Sequence, residues 1–282
     1  MDERAPASPP DWTGAMGDFW AENADHFERM LADIGAALLA AAAFRPGERV
    51  VEIGCGAGGL TRAIAAAVAP SGEAVGLDVS PALLRLARDR AGTAPGIRFV
   101  LGDAAAMLPE GVPFDRLVSR FGVMFFADPP AAMANLRRML RPGGRLDFAV
   151  WAAPEANPWS SAVMALARRH LDLPAPPQGA PGPFAMADPE LLAGLLGGAG
   201  FTDVQLTAWR GVVHLGPPGT TPEMAVESLI RTSPLSEPWR TAPDDIRARL
   251  RADLERLVAP HVGPGGFAMP AAAHLVKASA AD

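Results

Sequence analysis

The stretch Val50-Val51-Glu52-Ile53-Gly54-Cys55-Gly56-Ala57-Gly58-Gly59 decides the fold. An apolar run carrying one acidic residue passes into three alternating glycines. The run reads as a buried parallel strand and Leu60 to Val68 behind it as an Ala-rich helix, so the glycines occupy a strand-to-helix turn. Glycine there permits positive φ and removes the Cβ that would hold a ligand away from the backbone.

A dinucleotide fold also places glycines at this turn, with an acidic residue about 20 positions later. Two details separate the readings. The spacing is G-x-G-x-G rather than G-x-G-x-x-G, and Glu52 stands two positions before the first glycine, where a pyrophosphate would meet an unfavourable charge. S-adenosylmethionine carries no phosphate, and its ammonium and sulfonium make a nearby carboxylate favourable. The stretch resembles the first motif of the class I S-adenosylmethionine-dependent methyltransferases, apolar-apolar-acidic-apolar-Gly-x-Gly-x-Gly.

Further stations follow at the spacing this resemblance implies. Val75-Gly76-Leu77-Asp78 reads as a second strand ending in a carboxylate that can accept both hydroxyls of a ribose. The competing reading of Asp78 is a helix cap, a role that suits Ser80 before Pro81-Ala82-Leu83-Leu84. Ile97 to Ala104 reads as a third strand, and Asp103 resembles the family residue that accepts from the adenine amino group; its alternative is a solvated turn aspartate. Phe114 to Phe121 forms a fourth strand, and Gly144 to Trp151 a fifth after the turn Arg141-Pro142-Gly143-Gly144. Between them a helix near Pro130 to Leu140 sets Met133, Leu136, Met139 and Leu140 on one face.

The match covers roughly residues 46 to 151. Alternating strands and helices predict a parallel sheet with helices on both faces. The resemblance implies an α/β, Rossmann-like, doubly wound sheet of seven mostly parallel strands with helical cap insertions. It also implies S-adenosyl-L-methionine as cofactor, held by Glu52, Gly54, Cys55, Gly56, Gly58, Asp78, Val79, Asp103, Ala104 and Arg120. Arg120, Phe121 and Gly122 end the fourth strand, where open α/β sheets bind ligands.

Composition narrows the partners. Against 25 Lys and Arg stand 31 Asp and Glu, a net charge of −6 that disfavours a nucleic-acid surface. No apolar run approaches the length of a membrane span, and Met1 to Pro6 lacks the basic flank and apolar core of a signal peptide. The expected location is the cytoplasm and the expected partner a small molecule. The single cysteine, Cys55, rules out an internal disulfide or a Cys-based metal cluster, and at a glycine turn it reads as a space-filling residue. His26, His170, His214, His261 and His274 are too scattered for a helix-borne metal pair, so no metal is expected. Asp128-Pro129-Pro130-Ala131 superficially resembles the Asp/Asn-Pro-Pro-aromatic signature of amino-methyltransferases. Ala131 lacks a stacking face, and an N-cap at Asp128 with prolines opening a helix is the better reading.

Outside the core, residues 1–45 form an expected helical lid and 46–282 the main domain, with cap insertions at about 152–187 and 221–262. Residues up to about 16 read as frayed and Pro174 to Pro183 as an irregular connector. An amphipathic helical region spans Asp18 to Phe44. Helices are expected at Trp159 to Leu171, Pro189 to Gly198, Thr221 to Ser233 and Ala242 to Val258, and strands six and seven within Thr202 to His214 and Gly266 to Ala278. Trp12 and Trp20 are lid residues that can face the sulfonium or the substrate, with ordinary packing as the alternative. A sulfonium carbon is already activated, so transfer is an in-line displacement that needs a close, desolvated nucleophile. The chain has no tyrosine to serve as base; His26, His214 and Arg120 are the catalytic candidates. The expected function is methyl transfer to a small molecule. The alternatives are a non-catalytic S-adenosylmethionine-binding module and an NAD-dependent dehydrogenase.

Overall fold

The computed structural model describes residues 11–174 and 179–281. The expectations for most of the N-terminal tail, residues 1–10, and for the middle of the proline-rich connector, residues 175–178, lie outside the described residues.

Three helices open the fold: α1 (Ala15–Glu22), α2 (Ala24–Met30) and α3 (Ala32–Ala42). The apolar periodicity predicts one helical region here, but the chain bends at Asn23 and again at Leu31, each with a non-helical ψ near 20° or 11°. A Rossmann-like run follows: β1 (Arg49–Ile53), α4 (Gly59–Val68), β2 (Glu73–Asp78), α5 (Pro81–Ala91), β3 (Ile97–Leu101), β4 (Phe114–Arg120), α6 (Pro129–Met139) and β5 (Leu140–Trp151). Then come α7 (Pro158–Ala167), α8 (Pro189–Gly198), β6 (Phe201–Gly216), α9 (Pro222–Thr232), α10 (Ser236–Thr241), α11 (Asp244–Val258), β7 (Val262–Gly263) and β8 (Gly266–Ala280).

The sheet runs β3-β2-β1-β4-β5-β8-β6, parallel up to β5 and antiparallel at β8. Among the described residues, seven longer strands answer the expected seven, and the two-residue β7 pairs β8 as an eighth. β5 starts earlier than the turn reading predicts, because Leu140 already pairs with Phe114. Arg141 to Gly144 then bulge out opposite Asp115, and pairing resumes at Arg116 and Arg145. The expected helix after Trp159 ends at Ala167 instead of Leu171, and α10 adds a short helix between those expected at Thr221 to Ser233 and Ala242 to Val258.

Side chains of β1 and β4, among them Val50, Val51, Leu117 and Val118, are wholly buried between the helical layers, as parallel strands covered on both faces require. Prolines and caps start the helices: Ser80 accepts from the N–H of Leu83 and Asp128 from that of Ala131, each followed by proline in the first turn. Both cap assignments match the sequence reading.

A buried charge network fastens the end of α3. Its terminal carbonyl, Ala42 O, accepts from Arg116 and Arg145, and Arg116 pairs with Asp147 at 3.0 Å and with Glu48 at 3.4 Å. Arginines at a helix C-terminus satisfy carbonyls that the helix leaves free and complement its dipole.

Candidate active site

β1 and β4 end side by side. Ser119 donates to Ile53 O at 2.9 Å and accepts from Gly122 N, tying the strand ends together. Gly54 and Gly122 pack so closely that a Cβ on Gly54 would lie 2.9 Å from the Gly122 Cα. Beyond this point the glycines diverge in role. Gly58 has φ +77°, and a Cβ there would lie 2.8 Å from the Phe99 ring, so it is fixed by packing. Gly56 has φ +54° and nothing within 4 Å of where its Cβ would point. Its bare Cα faces open space.

Gly56 also lines a pocket of about 60 Å³, with Glu52, Gly54, Cys55, Ala57, Leu83 and Arg120 from the sheet side and Trp20, Ala24, Phe27, Glu28 and Leu31 from the N-terminal helices. Of the expected site residues, Glu52, Gly54, Cys55, Gly56, Arg120 and Trp20 therefore meet at one place. Cys55 is buried, its sulfur packed over Gly76, which has no room for a Cβ.

Glu52 is 2 % exposed and accepts from the Thr61 hydroxyl at 2.5 Å. Burial pushes its pKa up to about 8, against the Thr61 hydrogen bond and the Arg120 charge, which pull it down. The sequence reading treats Glu52 as a standing negative charge; its burial instead favours the protonated form. Arg120 donates to Leu31 O at 3.3 Å, joining the end of β4 to the bend between α2 and α3. Burial lowers its pKa, and Glu52 and Glu28 oppose that shift.

Asp78 adjoins the pocket and shapes its floor. Its two carboxylate oxygens accept from Gly56 N at 2.8 Å and Ser80 N at 2.9 Å, so it staples the glycine turn to the end of β2. Each oxygen keeps a lone pair for a further donor. Val79 next to it is half-buried, while Gly58 and Ala104 are packed away from the pocket. Asp103 is exposed and accepts from Ala105 N at 2.8 Å in a local turn, outside the residues that line the pocket.

Aromatic side chains of the N-terminal segment form a layer. Trp20 stacks on Phe27 with centroids 3.8 Å apart, and Trp12 meets Trp20 and Phe125 edge-on at 5.5 and 5.0 Å. His26 is buried against Phe27 with Nε2 unpartnered, and burial lowers its pKa to about 4. It packs on a pocket-lining residue of the N-terminal helices but does not itself line the pocket. His214, at the end of β6, pairs with Asp33 of α3 at 3.0 Å and likewise lies outside the pocket lining.

Sequence reasoning missed Glu28. Trp20, Ala24, Phe27, Glu28 and Leu31 follow a helical period, and only the apolar members of that stripe stand out when burial is the criterion. An acid on the buried stripe of an amphipathic helix was the available signal.

A family model described as a methyltransferase domain matches residues 50–144. An uncharacterized 37.1 kDa protein in a transposon of Streptomyces fradiae is 39% identical over 102 residues, 36% of this chain and 30% of that protein. The ubiquinone/menaquinone biosynthesis C-methyltransferase UbiE of Ectopseudomonas mendocina is 37% identical over 117 residues, 40% of this chain and 45% of that one. The chain thus matches less than half the length of these curated relatives. The crystal structure of the YcgJ protein from Bacillus subtilis superposes with a TM-score of 0.58 at 16% identity, covering 89% of this chain and 99% of that one, a likeness of fold. Residues 50–144 thus match a methyltransferase domain, and most of the chain shares the fold of that neighbour.

Proposed function

We propose that this chain transfers a methyl group from S-adenosylmethionine to a small-molecule acceptor by in-line displacement. The observation that carries the reading is the floor of the pocket: Gly56 opens its backbone to the cavity while Glu52, and Asp78 behind it, supply carboxylates and no phosphate cradle. Glu52, Gly54, Gly56 and Arg120 would hold the methionyl part and Asp78 the ribose; Val79, Asp103 and Ala104 belong to the same proposal for the nucleoside. When bound, the cofactor supplies an activated methyl carbon. The chain's residues position it and exclude water, which keeps a nucleophile reactive.

About 60 Å³ is well below the roughly 300 Å³ at the small end of cofactor sites. The helical segment within residues 1–45 must therefore swing to admit the cofactor and then close, a lid motion of the kind that gates many enzymes. A small acceptor fits a site closed by a lid, and the UbiE relative's name, a quinone C-methyltransferase, supports a small ring compound. With one cysteine in the chain, a cytoplasmic location belongs to the same reading. Calorimetry with S-adenosylmethionine, followed by assay of S-adenosylhomocysteine release in a small-metabolite extract, tests it. Binding and release are expected. Binding without release from any extract would leave a cofactor-binding module and sink the proposed transfer.

A further inference from the structure

We infer that Glu28, on the lid helix α2, is a cofactor-binding residue that reads the sulfonium charge and so distinguishes S-adenosylmethionine from its demethylated product. The inference rests on the cofactor proposed above. Among the described residues, three ionisable side chains line the pocket: Glu28, Glu52 and Arg120. The cofactor's methionyl end carries an ammonium, a sulfonium and a carboxylate. Two carboxyl groups and one guanidinium therefore face two cationic groups and one anionic group, a one-for-one match of opposite charges once the cationic ligand displaces the proton that burial favours on Glu52.

Glu52 and Arg120 stand on β1 and at the end of β4, fixed parts of the sheet. Glu28 alone belongs to an element that must move. It lies against the first turn of α4, since a Cβ on Gly59 would collide with its carboxylate, and it is close enough to raise the proton affinity of both Glu52 and Arg120. Its ion partner outside the pocket is Arg90 of α5, at 3.7 Å, and Asp25 takes the shorter contact with that arginine at 2.5 Å. Glu28 is thus weakly held in its own right, with charge left to offer a cationic ligand.

In the transfer the nucleophile's lone pair forms the new bond to carbon, and the S–CH3 bonding pair returns to sulfur as a neutral thioether. The pocket then holds one positive charge fewer. The carboxylate that drew the lid down loses part of its attraction, so the same residue that favours the reactive cofactor weakens the hold on the product.

The test is calorimetric titration of the full chain with S-adenosylmethionine and S-adenosylhomocysteine, for the wild type, Glu28→Gln, Glu28→Asp and Asp25→Asn. Glu28→Gln is expected to weaken S-adenosylmethionine binding by about ten- to a hundredfold, the range for interactions with a charged group, and to leave S-adenosylhomocysteine nearly unchanged. Glu28→Asp retains the preference for the sulfonium form. Asp25→Asn, which disturbs the same Arg90 from outside the pocket, shifts both ligands alike. Equal losses for the two ligands in Glu28→Gln, or no loss, overturn the inference. Tighter binding of both does so too, by marking Glu28 as a competitor for the site. A wild type that binds neither ligand overturns the cofactor reading itself, and this inference with it.

Discussion

The two ends of the N-terminal helical segment are attached to the same sheet by opposite means. At its root, α3 ends on Arg116, Arg145, Asp147 and Glu48, with the Asp147 side chain 1% exposed and Phe44 under the Arg116 guanidinium at 5.1 Å. At its tip, α2 is tied through Asp25, 87% exposed, to Arg90, and through Asn23 to Arg231. His214 and Asp33, both partly exposed, form a third surface tie near the bend. Exposed ion pairs are screened and contribute little, whereas breaking a buried pair leaves a charge without a partner. The segment is therefore fixed at one end and clipped at the other. The bend at Leu31, whose carbonyl accepts from Arg120, lies between them at the wall of the pocket.

The largest effect is expected from breaking the root. Asp147→Ala leaves Arg116 buried and should cost about 3–5 kcal/mol of stability in chemical denaturation, with cofactor affinity of the folded fraction unchanged. A loss below about 1 kcal/mol would mean that root and tip do not differ. Gly56→Val comes next. Its Cβ would enter the pocket from a φ that β-branched residues resist, so cofactor affinity should fall by about a hundredfold or more, with roughly 1–2 kcal/mol of backbone strain. Unchanged affinity in calorimetry would remove the glycine turn from the site.

Glu52 sharpens the contrast through protons. Its pKa of about 8 in the folded chain lies above the ordinary glutamate value of 4.5, so between those pH values the folded state holds the extra proton. Its contribution to stability accordingly falls as pH rises through that window. A cationic ligand favours the ionised form, so cofactor binding near pH 7 should release a proton, seen as a binding enthalpy that depends on the buffer's ionisation enthalpy. The dependence should fade well above pH 8 and vanish in Glu52→Gln. The smallest effect belongs to the tip: Asp25→Ala should lower stability by less than about 1 kcal/mol, while speeding cofactor dissociation in stopped flow. A stability loss as large as that at the root would contradict a loosely clipped lid.

How much of this was legible depended on whether local chemistry or distant packing set the outcome. The turn after β1 could be read because Glu52, Gly54, Gly56 and Gly58 carry their constraints in their own residue types, and Ser80 and Asp128 could be read as caps because prolines follow them. The breaks at Asn23 and Leu31 could not, since the apolar period runs on through both and only docking on α5 and β6 decides where the helix bends. Asp147 looks like an outward-facing strand residue until two arginines and a helix end converge on it. Asp78 was read as either ribose ligand or cap. Its carboxylate also holds two backbone N–H groups, those of Gly56 and Ser80, a partnership that needs the turn to exist first.

The order of the sheet also bears on how the chain reaches this shape. β8, the latest strand in sequence, lies inside the sheet, with β5 on one side and β6 on the other, and pairs Arg145 with Ser279 across nearly half the chain. Until it arrives, β5 and β6 have no common partner, and the buried row Phe148, Ala149 and Val150 has an open edge. Such long-range pairing is slow, and partly built sheets with free edges associate with one another. During synthesis the glycine turn and its neighbours can form early, but the molecule stays vulnerable to aggregation until its final strand has left the ribosome.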